Sequence, residues 1–548
     1  MRRALTIMLA WLAATASWAQ EKAVRPLDVP MSFSGTYGEL RHDHFHSGVD
    51  WRVGGRTGDP IHAIKSGYIS RVSVSPWGYG NGLYITHPDG TTSVYGHMLR
   101  FSDKIARLVE QEQYARESYS VSLEFGPDEF PVRQGEVVGQ VGNTGSSAGP
   151  HLHMEIRDTR SEVPLNYISR GVYKPEDKTS PQFHRVCFYA VDEHPAGDSW
   201  RIHNLRNPGA VRDTLALPRL SYVAIDATDR QEGTSSKLAV EEYRVLLDDT
   251  LIFSLKVGEV AFDKGRYIQS LIEYRESRNG GRDLVKSRVD PNNLLSDKIF
   301  SRDGGLIVLN DYEVHNLRLV AVDEHGNSAS QRYRIRRDDG FTAPPRDSAL
   351  TTVEWPWSWF WQNSVVADGM SYYLPANSLF RDIIFSYGRV GDPEPERGIC
   401  SAVWQIGSPD IPLLQPGELE IAADVPEDLE GKAYMANYDK TLSYAGVRTG
   451  FGTYCVAIDT VAPSIRWLGG RNGIVSGRTI RARVDDEGSG VVSARVEIDG
   501  KWYLSMLKGS TVLLELKETR VRRGQHEIKL TVTDRCGNVT VETQRFTF

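Results

Sequence analysis

Residues 149–156 read Gly-Pro-His-Leu-His-Met-Glu-Ile, and this stretch decides how the N-terminal part of the chain is interpreted. Side chains two positions apart on a β-strand point to the same face, so His151 and His153 face one space. Residues 46–50 read His-Ser-Gly-Val-Asp, and an extended segment presents this His and Asp on one face, with Gly48 keeping that face open. Imidazole and carboxylate ligands that leave one position free are typical of a hydrolytic zinc site.

Short β-type runs joined by glycine-rich turns surround these motifs from about residue 33 to residue 168. Residues 67–74 and 82–86 are examples, and a Pro-Asp-Gly turn follows at 88–90. The exception is residues 102–118, where apolar side chains recur at helical spacing behind a Ser-Asp N-cap. This pattern predicts one short amphipathic helix inserted between strands. It is either a solvated surface helix or one wall of a binding groove.

Two further motifs, Tyr95-Gly-His97 and Gly142-Asn-Thr-Gly145, complete the pattern. Their order and spacing relative to the stretches at 46–50 and 149–156 resemble those of the lysostaphin/LytM-type zinc metallopeptidases. The resemblance implies that residues 27–172 form a compact antiparallel β-sheet domain with a zinc groove on one face. It also implies that the chain cleaves peptide bonds in the stem or cross-link peptides of bacterial peptidoglycan.

The resemblance also assigns roles to individual residues. It puts the ligands of one Zn²⁺ per chain on His46, Asp50 and His153, and the two catalytic histidines on His97 and His151. Zinc lowers the pKa of a bound water to about 7. A histidine two positions from a ligand is near enough to act as general base on that water, and one from another strand can donate to the substrate carbonyl oxygen. None of the five positions is substituted, which favours an active zinc metalloendopeptidase.

Two other hypotheses stay open from the sequence. One is a catalytically silent cell-wall-binding regulator of another peptidoglycan hydrolase, and the other is an adhesin-like scaffold with a vestigial N-terminal domain. Residues 35–41 either line the groove or cover the metal in a latent form. We expect no ligand role for His42, His44 and His62, because zinc already has three ligands without them.

A weak internal repeat organises the chain after residue 175. Residues 322–327 (Val-Asp-Glu-His-Gly-Asn) and 533–538 (Thr-Asp-Arg-Cys-Gly-Asn) each follow an alternating strand, and acidic turns lie upstream at 226–233 and 485–490. Strands joined by such turns and Gly-Asn hairpins predict two immunoglobulin-like β-sandwiches. We expect the Asp-Asp-Glu cluster at 485–487 to be a solvated turn rather than a calcium loop.

These patterns predict an all-β, multidomain chain: an N-terminal antiparallel β-sheet zinc peptidase domain with one short inserted helix, then about three β-sandwich domains. The immunoglobulin-like sandwiches are expected at 177–340 and 460–548, with a β-rich domain at 347–459 between them. An aromatic run at 355–361 opens that domain. We expect it to pack in a core or between domains, rather than to form an exposed glycan platform.

The composition and the first residues of the chain indicate where in the cell the protein is located. The chain has 548 residues and a net charge of −7, without the broad cationic footprint of a nucleic-acid-binding protein. Residues 1–19 combine Arg2 and Arg3, an apolar stretch and small residues around Ala19, which is typical of a cleaved signal peptide. We expect export without a transmembrane segment after cleavage, to the periplasm, the cell envelope or the exterior. Peptidoglycan peptides are the expected substrate, and the C-terminal sandwiches would suit a cell-envelope protein partner.

Overall fold

The computed structural model describes residues 22–41, 43–194, 196–345, 349–469 and 475–548. The signal peptide predicted at 1–19 lies outside these residues. Strands dominate the described chain and helices are few and short, which confirms the all-β, multidomain fold class. No helix in the described ranges combines the length and the apolar character needed to cross a membrane.

The N-terminal domain is built on an antiparallel sheet of eight strands. Its spatial order begins Phe33–Gly35, Val49–Arg52, His151–Asp158 and Thr91–Gly96, so the motif-bearing strands are direct neighbours. The sheet is completed by Asn81–Thr86, Gly67–Val74, Val121–Glu124 and Pro131–Val132. A small three-stranded sheet consists of Pro60–His62, Val137–Gln140 and Arg100–Phe101. A two-stranded sheet consists of Leu40–Arg41 and His44–Phe45. Trp51, Tyr95 and Leu152 are fully buried beneath the large sheet.

The predicted inserted helix is confirmed at Asp103–Ala115, with Ser102 as its N-cap residue. Ile105 and Val109 are buried on its inner face. Its other face is not simply solvated, because Glu110 and Tyr114 contact the C-terminal part of the chain. The helix therefore joins two regions that are far apart in sequence.

The second unit consists of two sheets, and its hydrophobic core and that of the first domain each include a residue from the other. Phe45 packs in the core of the second unit, while Leu238 packs in the core of the first domain. Its strands are Gln182–Val191, Ser199–Leu205, Leu215–Leu217, Leu220–Thr228, Glu242–Leu247, Thr250–Lys256, Val285–Lys286, Ile299–Ser301, Ile307–Val308, Val314–Val322 and Ser328–Arg337. Its helical segments are Pro208–Ala210, Phe262–Tyr267, Ile268–Leu271, Tyr274–Arg278 and Asp303–Gly305.

The third and fourth units are each built from two sheets, of five and four strands. The immunoglobulin-like topology and the domain boundaries stay predictions. The strands of the third unit are Thr351–Thr352, Asn363–Ala367, Met370–Leu374, Ser386–Gly391, Val403–Ile406, Gly417–Ile421, Ala433–Asn437, Arg448–Thr449 and Gly452–Ile458, with short 3-10 helices at Pro395–Arg397 and Glu427–Lys432. The strands of the fourth unit are Ser464–Leu468, Val475–Ser476, Thr479–Asp485, Val491–Ile498, Lys501–Trp502, Met506–Lys508, Thr511–Glu515, Gln525–Asp534 and Val539–Thr547.

The aromatic run at 355–361 divides between core and surface. Trp357 is buried and stacks on Phe385 with ring centroids 3.6 Å apart. Trp355 and Trp361 are exposed. Only part of the run therefore has the packing role expected from the sequence.

Candidate active site

Three donor atoms from two motifs converge in the N-terminal domain. Asp50 lies on the strand Val49–Arg52 directly opposite His153 on the strand His151–Asp158. His46 Nε2, Asp50 Oδ1 and His153 Nδ1 are each 3.0 Å from the other two atoms. All three side chains are buried. This triangle has the size that three ligands around one small cation require.

His46 reaches the triangle from a loop rather than from the extended segment expected from the sequence. The preceding strand, His44–Phe45, ends before it, and the chain bends at Ser47 and Gly48. A Cβ atom on Gly48 would stand 2.4 Å from the Met154 carbonyl oxygen and 3.0 Å from His153 Cε1. Glycine is required here because the loop passes directly over the neighbouring strand.

Both imidazoles of the triangle are anchored through their outer nitrogens. The Nδ1 atom of His46 donates to the Thr36 carbonyl oxygen at 2.8 Å, and the Nε2 atom of His153 donates to Glu155 Oε1 at 2.8 Å. Burial acts to raise the pKa of Glu155, but His153 and Arg157 hold it below its usual range, so this carboxylate is an acceptor. When both rings are neutral, their inner nitrogens point lone pairs at each other, and a shared proton or metal ion resolves that repulsion.

The charges in the triangle favour a cation between the donor atoms. Burial acts to lower the pKa of His153, but hydrogen bonds to Asp50 and Glu155 raise it to about 9. Burial lowers the pKa of His46. Burial acts to raise the pKa of Asp50, but the histidines around it hold it well below its usual range. In the metal-free protein a proton on His153 therefore stands where a metal ion fits.

His97 and His151 lie beside the triangle with a common orientation. Their Nδ1 atoms donate to the carbonyl oxygens of Thr144 and Gly149, each at 2.8 Å, and their ring centroids are 4.8 Å apart. Because Nδ1 carries the hydrogen, Nε2 of each neutral ring is an acceptor. His151 Nε2 lies 3.4 Å from Asp50 Oδ1.

The conformation and charge of His97 are unusual. Its φ of 60° lies in the left-handed region that non-glycine residues rarely adopt, as is common for functional residues. Burial and the neighbouring His153 and His151 lower the pKa of His97 to about 3, so the ring is neutral near pH 7. A neutral His97 in this tautomer accepts through Nε2. The donor role expected from the sequence requires that it first gain a proton.

Several residues of the site carry no assignment from the sequence motifs. Glu155, which is fully buried, anchors His153 and accepts hydrogen bonds from Ser47 Oγ at 2.6 Å and Tyr79 Oη at 2.5 Å. Strand alternation could have found it, because it lies two positions after His153. Arg41 Nη2 lies 2.9 Å from Asp50 Oδ2, and no local pattern marks that contact.

The extra histidines lie apart from the triangle. His44 is exposed and lies 2.6 Å from Asp43. His62 Nδ1 donates to the Gly135 carbonyl oxygen at 3.0 Å, and its Nε2 is 3.0 Å from Asp28. His42 lies outside the described residues.

Fold and site together define an antiparallel β-sheet domain with a candidate metal centre. Residues 44–128 and 127–166 match the model of Peptidase family M23, and residues 356–469 match that of the Zu5-like domain. The N-terminal domain is thus matched by Peptidase family M23, which confirms the resemblance to lysostaphin/LytM-type peptidases.

The alignments with curated relatives each cover between a fifth and a third of this chain. The DD-carboxypeptidase/endopeptidase Mpg of Neisseria meningitidis is 33% identical over 131 residues, which are 24% of each chain. Lysostaphin of Staphylococcus simulans is 25% identical over 134 residues, 23% of this chain and 22% of that one. The peptidoglycan DD-endopeptidase ShyC of Vibrio cholerae is 26% identical over 161 residues, 29% of each chain. The chain thus spans about a quarter of the length of these relatives.

Solved structures resemble the same region. A mutant form of the catalytic domain of the prophage-encoded M23 protein EnpA from Enterococcus faecalis is 28% identical and covers 25% of this chain and 88% of that chain, with a TM-score of 0.19. The catalytic domain of lysostaphin from Staphylococcus simulans is 23% identical and covers 26% of this chain and 89% of that chain, with a TM-score of 0.19.

Proposed function

We propose that this protein is an exported zinc-dependent endopeptidase that hydrolyses peptide bonds in the stem or cross-link peptides of peptidoglycan. The observation that carries the proposal is the triangle of His46, Asp50 and His153 donor atoms, with both outer ring nitrogens anchored and the inner lone pairs facing one point. The names of two relatives, Mpg and ShyC, support the substrate class. The cell envelope is the compartment in which such a substrate is found.

In this proposal His46, Asp50 and His153 hold one Zn²⁺. When bound, zinc polarises the scissile carbonyl group and lowers the pKa of a water molecule to about 7. The chain contributes a buried, fully anchored ligand set, which keeps the donor atoms in place during turnover.

His151 acts as general base in this proposal, because its Nε2 is an acceptor beside Asp50 Oδ1. Once it has taken a proton from the attacking water, the imidazolium returns that proton to the leaving amine nitrogen. His97 presents a second Nε2 acceptor, which orients the attacking water. Its left-handed backbone keeps the ring close to that of His151.

The test is mass spectrometry of muropeptides after incubation of peptidoglycan with the zinc-loaded protein. New peptide termini that vanish with a chelator and return with added Zn²⁺ support the proposal. His151→Ala and His97→Ala should each lower cleavage about 10²–10³-fold while zinc still binds. The exposed His44→Ala is the matched control and should cleave normally.

A different result would favour the silent regulator. That alternative predicts peptidoglycan binding without new termini, and no effect of His151→Ala or His97→Ala. Cleavage that persists without metal would exclude the zinc mechanism.

A further inference from the structure

Two clusters of acidic side chains lie outside the candidate active site. In the fourth unit, one carboxylate oxygen from each of Asp459, Asp486 and Asp534 lies within 4.8 Å of the other two. In the second unit, ligand-type atoms of Asp177, Asp323 and His325 lie within the same mutual distance. Asp323 and Asp534 occupy the same position in the two copies of the sequence repeat, so the two clusters have a common structural origin.

Three hydrogen bonds made by the hairpin Asn are the same in both clusters. Asn327 donates through its backbone N–H to Asp323 Oδ1 and through Nδ2 to Oδ2, both at 2.8 Å, and Nδ2 also lies 3.2 Å from the Asp177 carbonyl oxygen. Asn538 makes the same bonds to Asp534 at 2.8 Å, and its Nδ2 lies 3.0 Å from the Asp459 carbonyl oxygen. The side chain of Asn327 therefore connects Asp177 and Asp323 in the same way as that of Asn538 connects Asp459 and Asp534.

The acidic turn upstream supplies a carboxylate with an unpartnered oxygen near each cluster, which is Asp229 in the second unit and Asp486 in the fourth. Asp229 is only 5% exposed, and its Oδ1 has no hydrogen-bond partner among the described residues. Asp486 Oδ1 is likewise buried and unpartnered within the described part of the chain. Burial raises the pKa of Asp229 to about 7, and the negative charges of Asp323 and Asp177 act in the same direction.

A small cavity lies beside the unpartnered carboxylate of the second unit. It has a volume of about 20 Å³, and its lining includes Asp177, Asp229 and His325. A space of this size holds a single water molecule or a single ion. The unpartnered oxygen therefore has room for a ligand of that size.

The two clusters lack compensating positive charge. Within the described ranges, no Lys or Arg nitrogen lies within 4.0 Å of a carboxylate oxygen in the sets Asp177, Asp229 and Asp323 or Asp459, Asp486 and Asp534. Lys432 lies near the second set, but its Nζ bonds the Cys536 carbonyl oxygen and Asn538 Oδ1. Three grouped carboxylates without a cation are costly to bury.

We propose that each cluster binds one Ca²⁺, through Asp177, Asp229 and Asp323 in the second unit and through Asp459, Asp486 and Asp534 in the fourth. Carboxylate and carbonyl oxygens are the donors that Ca²⁺ prefers, and its irregular coordination tolerates ligands from separate loops. His325 is not part of the shared donor set, because Cys536 stands at its position in the other repeat. Of the turn expected to be solvated at 485–487, Glu487 is exposed, whereas Asp486 Oδ1 is buried.

One ion would lie where the second unit joins the first domain, and the other where the fourth unit joins the third. In the second unit, His325 Nε2 lies 2.7 Å from the carbonyl oxygen of Pro175, in the segment before the first strand. In the fourth unit, the Asp459 backbone N–H donates to the Lys432 carbonyl oxygen at 2.9 Å. A bound cation at either place would tie the linker to two loops of the sandwich and fix the orientation of the two units.

Calcium binding can be measured directly on the purified protein. The chain is stripped of metals, reloaded with one equivalent of Zn²⁺, and dialysed to equilibrium against radioactive Ca²⁺ in excess Mg²⁺. We expect two Ca²⁺ per chain, with dissociation constants of about 10⁻³ M or below. Asp486→Asn and Asp229→Asn should each lose one ion, and the double variant should lose both. Asp392→Asn, an exposed carboxylate paired with Arg389, is the matched control and should still bind two.

The thermal unfolding midpoint gives a second measurement that does not depend on folding of the variants. Added Ca²⁺ should raise the midpoint of the wild-type protein, and Mg²⁺ at the same concentration should raise it less. No Ca²⁺ bound to the wild-type protein at about 1 mM would overturn the proposal. So would unchanged stoichiometry in folded Asp486→Asn and Asp229→Asn variants, or occupation of these sites by Zn²⁺ but not by Ca²⁺.

Discussion

Glu155 is the side chain that holds the ring of His153, a proposed zinc ligand, through a hydrogen bond to Nε2. It is fully buried and also pairs with Arg157, whose Nε lies 2.6 Å from Glu155 Oε2. Loss of a partner that orients a metal-binding histidine typically lowers metal affinity about 10–100-fold. Glu155→Gln should therefore weaken zinc binding by about that factor, as measured by competition with a coloured chelator. Glu162→Gln is the matched control, because it also removes a carboxylate next to Arg157 but at the surface, and it should bind zinc normally. Equal zinc affinities for the wild-type protein and both variants would contradict the anchoring role of Glu155.

The proton on His153 makes zinc binding depend on pH. Its pKa of about 9 in the metal-free protein means that one proton must leave before the ion binds. The apparent dissociation constant for zinc should fall about tenfold per pH unit between pH 7 and 9, measured with zinc buffers. In Glu155→Gln the pKa of His153 should be lower, because one of the groups that raise it is gone. The zinc affinity of this variant should therefore stop changing at a lower pH than that of the wild-type protein. An affinity independent of pH would contradict this assignment.

The same shift affects the stability of the metal-free protein. The folded-state pKa of His153 is raised above the ordinary value of about 6.5. The stabilisation from its protonated form is therefore fully present below about pH 6.5 and is lost as the pH rises through about 9. Zinc should reverse this trend, because it binds the deprotonated ring.

At the scale of the element, the loop that carries His46 depends on Gly48. A methyl group there would collide with the Met154 carbonyl oxygen and with the ring of His153. Gly48→Ala should lower the free energy of unfolding by about 1–3 kcal/mol and weaken zinc binding, because the loop must move off the strand. Denaturant unfolding and zinc titration would measure both effects. Gly431→Ala is the matched control, since no atom lies within 4 Å of its added Cβ. Unchanged stability and zinc affinity in Gly48→Ala would contradict the close approach of the loop to the neighbouring strand.

At the scale of the whole molecule, the second unit supports the candidate active site. Thr36, whose carbonyl oxygen anchors His46, accepts a hydrogen bond through its hydroxyl from the Ala239 N–H at 3.0 Å, and Tyr37 Oη accepts one from the Val260 N–H at 3.1 Å. Phe45, directly before the proposed ligand His46, is buried in the core of the second unit. The C-terminal part of the chain approaches from another side, where Lys508 Nζ donates to the Gly145 carbonyl oxygen at 2.6 Å.

Removal of all residues after 176 should therefore impair the peptidase domain itself and not only its targeting. We expect at least about a tenfold loss of zinc affinity, because the segment that anchors His46 loses its packing. A chain that ends at residue 345 retains the second unit and should bind zinc like the full protein. Zinc titration and cleavage of soluble muropeptides compare the two truncated chains, and full activity of the shorter one would show that the first domain is autonomous.

Local sequence patterns determined much of the first domain. Two-residue alternation in 149–156 correctly indicated that His151 and His153 lie on one strand, and the helix at Asp103–Ala115 followed from apolar spacing and an N-cap. The all-β class also followed from short alternating runs and turn residues. Such features are readable because strand and helix periodicity depends on neighbouring residues in the chain.

Only the tertiary structure decided how the donor atoms are oriented and what supports them. The carbonyl oxygen of Thr36 anchors His46, and every residue has such an oxygen, so no residue type marks it. The packing of Phe45 in the second unit, the contact of the inserted helix with the fourth unit and the grouping of Asp459, Asp486 and Asp534 all join residues that are distant in sequence. These contacts depend on how the units pack against one another, whereas periodicity and motif spacing describe each segment separately.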